Sequence, residues 1–144
     1  LSAAMFDAAE DLDNADVPDS DRYAFVLPAQ YYLGVQTTSL INKDFNGEGS
    51  IASGTIQSLA GLLMVKTNNL AQTNVTTGPS AYQGDFTGTA FLVMHRGAIG
   101  TVQLMSLAME SQYDVRRQGT LMVAKYALGH GILRPHAAVE VKIA

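Results

Sequence analysis

Short apolar runs broken by proline and glycine decide what this chain can fold into. YAFVL at residues 23–27, AFLVMH at 90–95 and AAVEVKI at 137–143 have the length of strands. Residues 55–66, TIQSLAGLLMVK, read as strand-like segments with a bend at Gly61, because glycine inside a strand pattern marks a bend or bulge. Residues 119–129 read as a further strand. Two segments are helical instead. Leu1, Met5, Ala8 and Leu12 fall at i, i+4, i+7 and i+11, with Asp7, Glu10 and Asp11 off that stripe, which predicts a helix over 2–14. Pro28 lacks the amide that would go unpaired in a first helical turn, so PAQYYLGVQ at 28–36 predicts a helix of about two turns. YAFVL before it is wholly apolar and is expected to be covered on both faces.

Polar punctuation lies between these segments. Asp16–Asp21 is a turn cluster around Pro18, 42–50 (NKDFNGEGS) a Gly/Asn loop, 67 to about 88 a long polar loop, and 114–118 (DVRRQ) a polar turn. Arg96 to Thr101 reads as a short helical turn. TVQLMSLAMES is ambiguous: Val102, Met105 and Met109 suit a helix, while Gln103, Met105, Leu107 and Met109 suit a strand, and the strand is favoured. Helices and strands are mixed without a regular βαβ rhythm, so the fold class is α+β.

The 144 residues, 47% apolar and 15% charged, fit one globular domain or a large part of one. No run approaches the roughly 20 apolar residues of a membrane-spanning helix, so no membrane is expected as a partner. With no cysteine, a disulfide framework and a thiolate metal site are excluded. Leu1 opens no signal-peptide pattern, and the chain is read as an internal piece of a longer product. The net charge of −4 is unevenly spread: residues 1–21 hold seven acids and no base, and residues 22–144 hold six acids against nine bases, net +3. The acidic stretch reads first as the solvated face of the first helix. A second reading is a charged surface facing other subunits or packaged nucleic acid. No basic cluster interleaved with aromatics is present, which argues against sequence-specific nucleic-acid recognition.

Residue chemistry points to no enzyme. GxSxG, GxGxxG, a Walker loop and HExxH are all missing from the sequence, so the nucleophile, dinucleotide, phosphate and zinc signatures fail together. NGEG in 42–50 has no following GK[ST] and reads as a plain loop. GDFTGT at 84–89 reads as a turn, in which Gly84 and Gly88 permit left-handed angles and Asp85 bonds nearby amides. His95, His130 and His136 would have to meet in space, with Asp114 or Glu110, to hold a metal. The expectation is no catalytic residue, no metal and no cofactor. A small-ligand or partner-binding α+β domain, and a His-dependent metal hydrolase, are the alternative classes.

The C-terminal half carries a more specific pattern. FLVMHRGAIGTVQLMSLAMES at 91–111, then RRQGTLMVAKYALGHGILRPHAAVEV at 116–141, resembles the major capsid protein family of short-tailed double-stranded DNA bacteriophages, the autographivirus-type podoviruses. His95, Arg96, Gly100, Thr101, Val102 and Glu110 fall on that family's run. So do Lys125, Tyr126, Gly129, His130, Gly131, Leu133, Arg134 and Pro135. VPDSDR, PAQYY, LAGLLMVKTNNL and GDF follow in similar order in the first half. His136 departs from the pattern, since relatives often carry Glu after the Arg-Pro.

The resemblance implies the Hong Kong 97-type capsid fold. The chain is expected to hold mainly the axial domain, about 15–118, with about 1–14 and 119–144 contributing to the peripheral domain. The N-terminal arm, E-loop and spine helix are expected to lie outside it, and these 144 residues alone are expected to stay monomeric or weakly oligomeric. The implied function is a structural subunit of an icosahedral head, self-assembling as pentamers and hexamers around the genome. The implied partners are other copies of itself, a scaffolding protein, a portal, and packaged DNA bound without sequence specificity. The location is the virion, assembled in the host cytoplasm. Gly129, His130, Gly131, Arg134 and Pro135 are then expected to form a bend between strands 119–129 and 137–143, with Arg134 pinned to a carboxylate. Lys43, Asp44, Glu48, Arg116, Arg117 and Arg134 are the candidate intersubunit residues.

Overall fold

The computed structural model describes residues 1–37 and 54–143, and the loop expectation for 42–50 lies outside them. The chain divides into two compact units, residues 1–98 with 134–144, and residues 99–133.

The first unit is built on one sheet backed by helices. Helix α1 (Ser2–Asn14) buries Met5, Ala8 and Leu12, the stripe read from the sequence, and packs against strand β9 (Ala138–Lys142). Strand β1 (Arg22–Val26) is followed at once by helix α2 (Pro28–Gln36), with Pro28 in its first turn. Strands β2 (Ser58–Leu59) and β3 (Leu62–Lys66) are joined by Ala60 and Gly61, with φ of 54° and 73°. Two positive φ values in a two-residue connection mark the hairpin turn whose twist matches its strands, and Gly61 adopts one of them freely. Beyond β3, the polar loop carries the small pair β4 (Asn74–Val75) and β5 (Gly84–Asp85). Strand β6 (Thr89–His95) follows. Among the described residues the main sheet runs β2-β3-β1-β6-β9. β1 and β3 are parallel, a pairing that needs a long crossover, and α2 lies in that connection.

Side-chain alternation sorts the sheet into two faces. Ala24, Val26, Leu62, Met64, Phe91 and Val93 point to the helices and are buried. Tyr23 and Phe25 point the other way and are half-buried. The expectation that this strand is covered on both faces therefore holds for one face only. Tyr31 of α2 is buried, and its hydroxyl accepts from the Ile56 amide at 2.9 Å and donates to the Ile56 carbonyl at 3.2 Å. Tyr31→Phe would strand both backbone groups. It is expected to cost about 1–2 kcal/mol, read as a lowered denaturant midpoint at unchanged slope.

The second unit is a single antiparallel hairpin. β7 (Ile99–Asp114) and β8 (Gly119–Ile132) pair along their length, with bulges between Gln103 and Met105 and between Met105 and Ala108. Residues 101–111 are thus strand, and the helical turn expected at 96–101 shortens to Arg96–Ala98.

The bend expected at Gly129, His130 and Gly131 is not there. β8 runs through them to Ile132, pairing Gly129 with Val102, His130 with Thr101 and Gly131 with Gly100. Neither glycine has a positive φ. Cross-strand hydrogen bonding from β7 keeps this stretch extended, which local glycine content does not reveal. The chain turns later, at Arg134 and the short helical turn Pro135–Ala137.

Candidate functional site

The residues singled out for chemistry do not converge. Among the described residues no three His, Cys, Asp or Glu side chains group to hold a metal. His95 Nδ1 accepts the Gly97 amide at 2.9 Å, which shapes the turn after β6. His130 Nδ1 lies 2.9 Å from Thr101 Oγ1, a cross-strand pair on the hairpin. His136 sits in the Pro135–Ala137 turn.

GDFTGT forms the turn read from its composition. Asp85 Oδ1 accepts from the Thr87 hydroxyl at 2.6 Å and the Thr87 amide at 3.0 Å. These bonds hold the Asp85 carboxyl below its usual range, the hydroxyl contributing most. Gly88 has φ of 79°, while Gly84 lies in β5. On the sheet, Lys66 Nζ donates to Tyr32 Oη at 2.8 Å. That bond raises the lysine's affinity for its proton, and the nearby phenol groups of Tyr32 and Tyr31 add to it electrostatically.

The expected intersubunit residues fall in three places. Lys43, Asp44 and Glu48 lie outside the described residues. Arg116 and Arg117 sit in the turn that closes the hairpin. There the Arg116 amide donates to Asp114 Oδ1 at 3.0 Å, and Arg117 Nε lies 3.8 Å from Asp114 Oδ2. Arg134 is engaged within its own unit, donating to the Ala15 carbonyl at 2.6 Å and the Asp16 carbonyl at 3.3 Å. Its acceptors are backbone oxygens rather than the expected carboxylate. The turn after α1 presents those carbonyls together, and Asp16 takes a φ of 53° there.

Two features escaped the sequence reading. Arg22 is almost fully buried, and gathers the Val17 carbonyl, the Pro18 carbonyl at 2.9 Å, Asp13 at 2.7 Å and Asp19 at 3.0 Å. The available signal was position, since Arg22 is the first base after seven acids. The second is the hairpin's exposure. Val102, Leu104, Leu107, Met109, Met122 and Ile132 are each more than 60% exposed. A row of large apolar side chains in water marks an interaction surface rather than a solvated face. Its polar contribution is modest: Lys125 pairs with Glu110 at 2.7 Å, and an exposed pair contributes about 0–1 kcal/mol.

The described residues give a mixed sheet backed by helices and a long hairpin with exposed apolar side chains. The Gp10A-like family, described as a major capsid protein, matches residues 1–142. The chain belongs to this family. It is similar to the major capsid protein of Escherichia phage T7, at 52% identity over 50 residues, 35% of this chain and 14% of that protein. Among solved structures it is similar to the capsid of the cyanophage P-SCSP1u, with a TM-score of 0.87 and 39% identity over 99% of this chain and 46% of that one. The mature capsid of bacteriophage PhiM1 shares the fold at 20% identity, with a TM-score of 0.77 over 98% of this chain and 47% of that one. The chain thus spans about half the length of the solved capsid chains it matches. The fold is the α+β Hong Kong 97-type capsid fold that the C-terminal motifs implied.

Proposed function

We propose that the full-length product is the shell subunit of a phage head, packing with copies of itself as pentamers and hexamers around the genome. The agreement with the cyanophage capsid over 99% of the chain, at 39% identity, carries this reading. Rings of identical subunits use heterologous interfaces, in which one patch meets a different patch of the next copy. A Gp10A-like subunit then needs a rigid core and further surfaces that meet its neighbours. The five-stranded sheet with its helices suits the first role, and the exposed hairpin suits the second.

The sheet unit corresponds to the axial domain and the hairpin to the peripheral domain. β7 and β8 pair throughout, which favours keeping them together over a boundary near residue 118. The role needs no catalysis. A scaffolding protein, a portal and DNA held by its backbone charge are the further partners, and the virion, assembled in the host cytoplasm, is the location.

Negative-stain electron microscopy of the full-length product, co-expressed with any scaffolding protein encoded nearby, tests the reading. Closed shells or capsomer rings are the expected result. A product that stays small and soluble with and without that partner would count against it.

A further inference from the structure

We propose that the Tyr32–Leu33 face of α2 in one copy seats in a socket on the sheet of the next copy in the ring, an inference that rests on the shell reading. Both surfaces belong to the sheet unit. The socket is a cavity of about 260 Å³ on the sheet face turned away from α1 and α2. Leu92 lines it, in one cross-strand row with Phe25 and Glu140. Leu70, Ala71 and Phe86 of the polar loop wall it. Among the described residues its one charged group is the Glu140 carboxylate, which accepts from the Thr89 hydroxyl. Lys142 lies 3.9 Å from the second oxygen of Glu140 and donates to the Asp85 carbonyl. An apolar slot with one carboxylate fits an apolar side chain accompanied by a cation.

Charge and position select the side chain. Among the described residues of the sheet unit, the large apolar side chains left exposed are Phe6, Tyr32, Leu33, Leu63, Tyr82 and Ile143. Phe6 stands beside Asp7 and shares its side of α1 with Glu10, so the Glu140 carboxylate repels it. Leu63 pairs with Tyr23 on the socket's own face of the sheet. Tyr82 belongs to the loop that walls the socket, and the Ile143 amide donates to Gly88 at the end of that loop. A contact made by these three would set like faces together, which pairs two copies and closes no ring. Tyr32 and Leu33 remain, with Leu33 56% exposed. Their helix carries no charged residue, and the cation beside it is Lys66, whose Nζ donates to Tyr32 Oη.

The α2 face and the socket lie on opposite sides of one sheet, so a copy cannot fill its own socket. Leu33 of one copy enters the cavity of the next, and the Lys66 ammonium faces the Glu140 carboxylate at its mouth. The two patches differ, so the contact is heterologous and repeats from copy to copy until the rotation closes a ring.

The test uses full-length product that forms shells or rings as wild type. Lys66→Glu and, separately, Leu33→Asp are each expected to lower the yield of shells about tenfold or more, because a carboxylate then meets Glu140 across the contact. Lys66→Arg keeps the charge and is expected to stay within about threefold of wild type. Leu33 and Lys66 are exposed, so thermal unfolding of the variants should match wild type, which separates assembly from folding. A cross-link gives an independent reading, since residues 1–144 contain no cysteine. Leu33→Cys with Ala71→Cys, in product with any other cysteine replaced, is treated with a short bismaleimide after assembly. It is expected to give a ladder of multimers ending at closed rings of five and six, which neither cysteine gives alone. Unchanged yield in both charge variants, no ladder, or a ladder that runs on past six overturns the proposal. Each of these outcomes leaves the shell reading standing, because the wild type assembles.

Discussion

Phe91→Ala is expected to lower the stability of the sheet unit by about 3–5 kcal/mol, the usual range for emptying a phenylalanine site in a closed core. Phe91 is 1% exposed and is the largest fully buried side chain of the described core. Its strand, β6, lies between β1 and β9, with Phe91 opposite Val26 and Val141. Both neighbours are held by backbone hydrogen bonds and cannot close in on the vacated volume, which places the cost toward the upper end. Urea unfolding followed by far-ultraviolet circular dichroism should show the midpoint fall with the slope kept. A loss below about 1 kcal/mol would mean that the site collapses, contrary to the packing described. The hairpin unit buries little of its own surface, so its signal should change least.

Arg22→Ala is expected to cost about 2–3 kcal/mol, and Asp19→Ala less than about 1. The contrast follows from burial. The Arg22 side chain is 6% exposed, whereas Asp19 is 94% exposed. Deleting Asp19 removes a carboxylate that water solvates almost as well. Deleting Arg22 leaves the carbonyls of Val17 and Pro18 without their donor and brings Asp13 and Asp19 together without a counter-charge. The turn from α1 into β1 depends on that guanidinium, since Asp16 and Asp21 both adopt positive φ within it. Comparable losses in the two variants would show that the ion pair, not the backbone bracing, holds the turn. Arg22→Lys should recover little, because an ammonium is a point charge without the planar fork that serves four acceptors.

Sites were less legible than elements. The resemblance at 91–111 and 116–141 led to the family, yet it did not say what the matching residues do in the fold. Gly129 and Gly131 suggest a bend to anyone reading locally, and Arg134 beside Pro135 suggests an anchor to a carboxylate. Both inferences treat neighbours in sequence as neighbours in space. In the structure Gly100, Thr101 and Val102 lie across from Gly131, His130 and Gly129, and the Arg134 acceptors come from residues 15 and 16. The Arg22 cluster has a different cause: Asp13, Val17, Pro18 and Asp19 are near it in sequence, but two of its four acceptors are backbone oxygens, and every residue carries one.

Elements whose cause is local are legible in the chain alone. An apolar stripe at helical spacing made α1, a proline without an amide opened α2, and the glycine at position 61 took the positive φ of the β2–β3 turn. Each depends on residues within a turn or two of one another, so periodicity and punctuation suffice. The order β2-β3-β1-β6-β9, the parallel pairing of β1 with β3, and the continuation of β8 to Ile132 are instead set by contacts distant in the chain. Such contacts also decide which apolar side chains are left in water. Val102 and Val93 are equally apolar, yet one is 73% exposed and the other fully buried. Burial is set by what packs against a strand, and that partner is chosen by contacts between residues far apart in the chain.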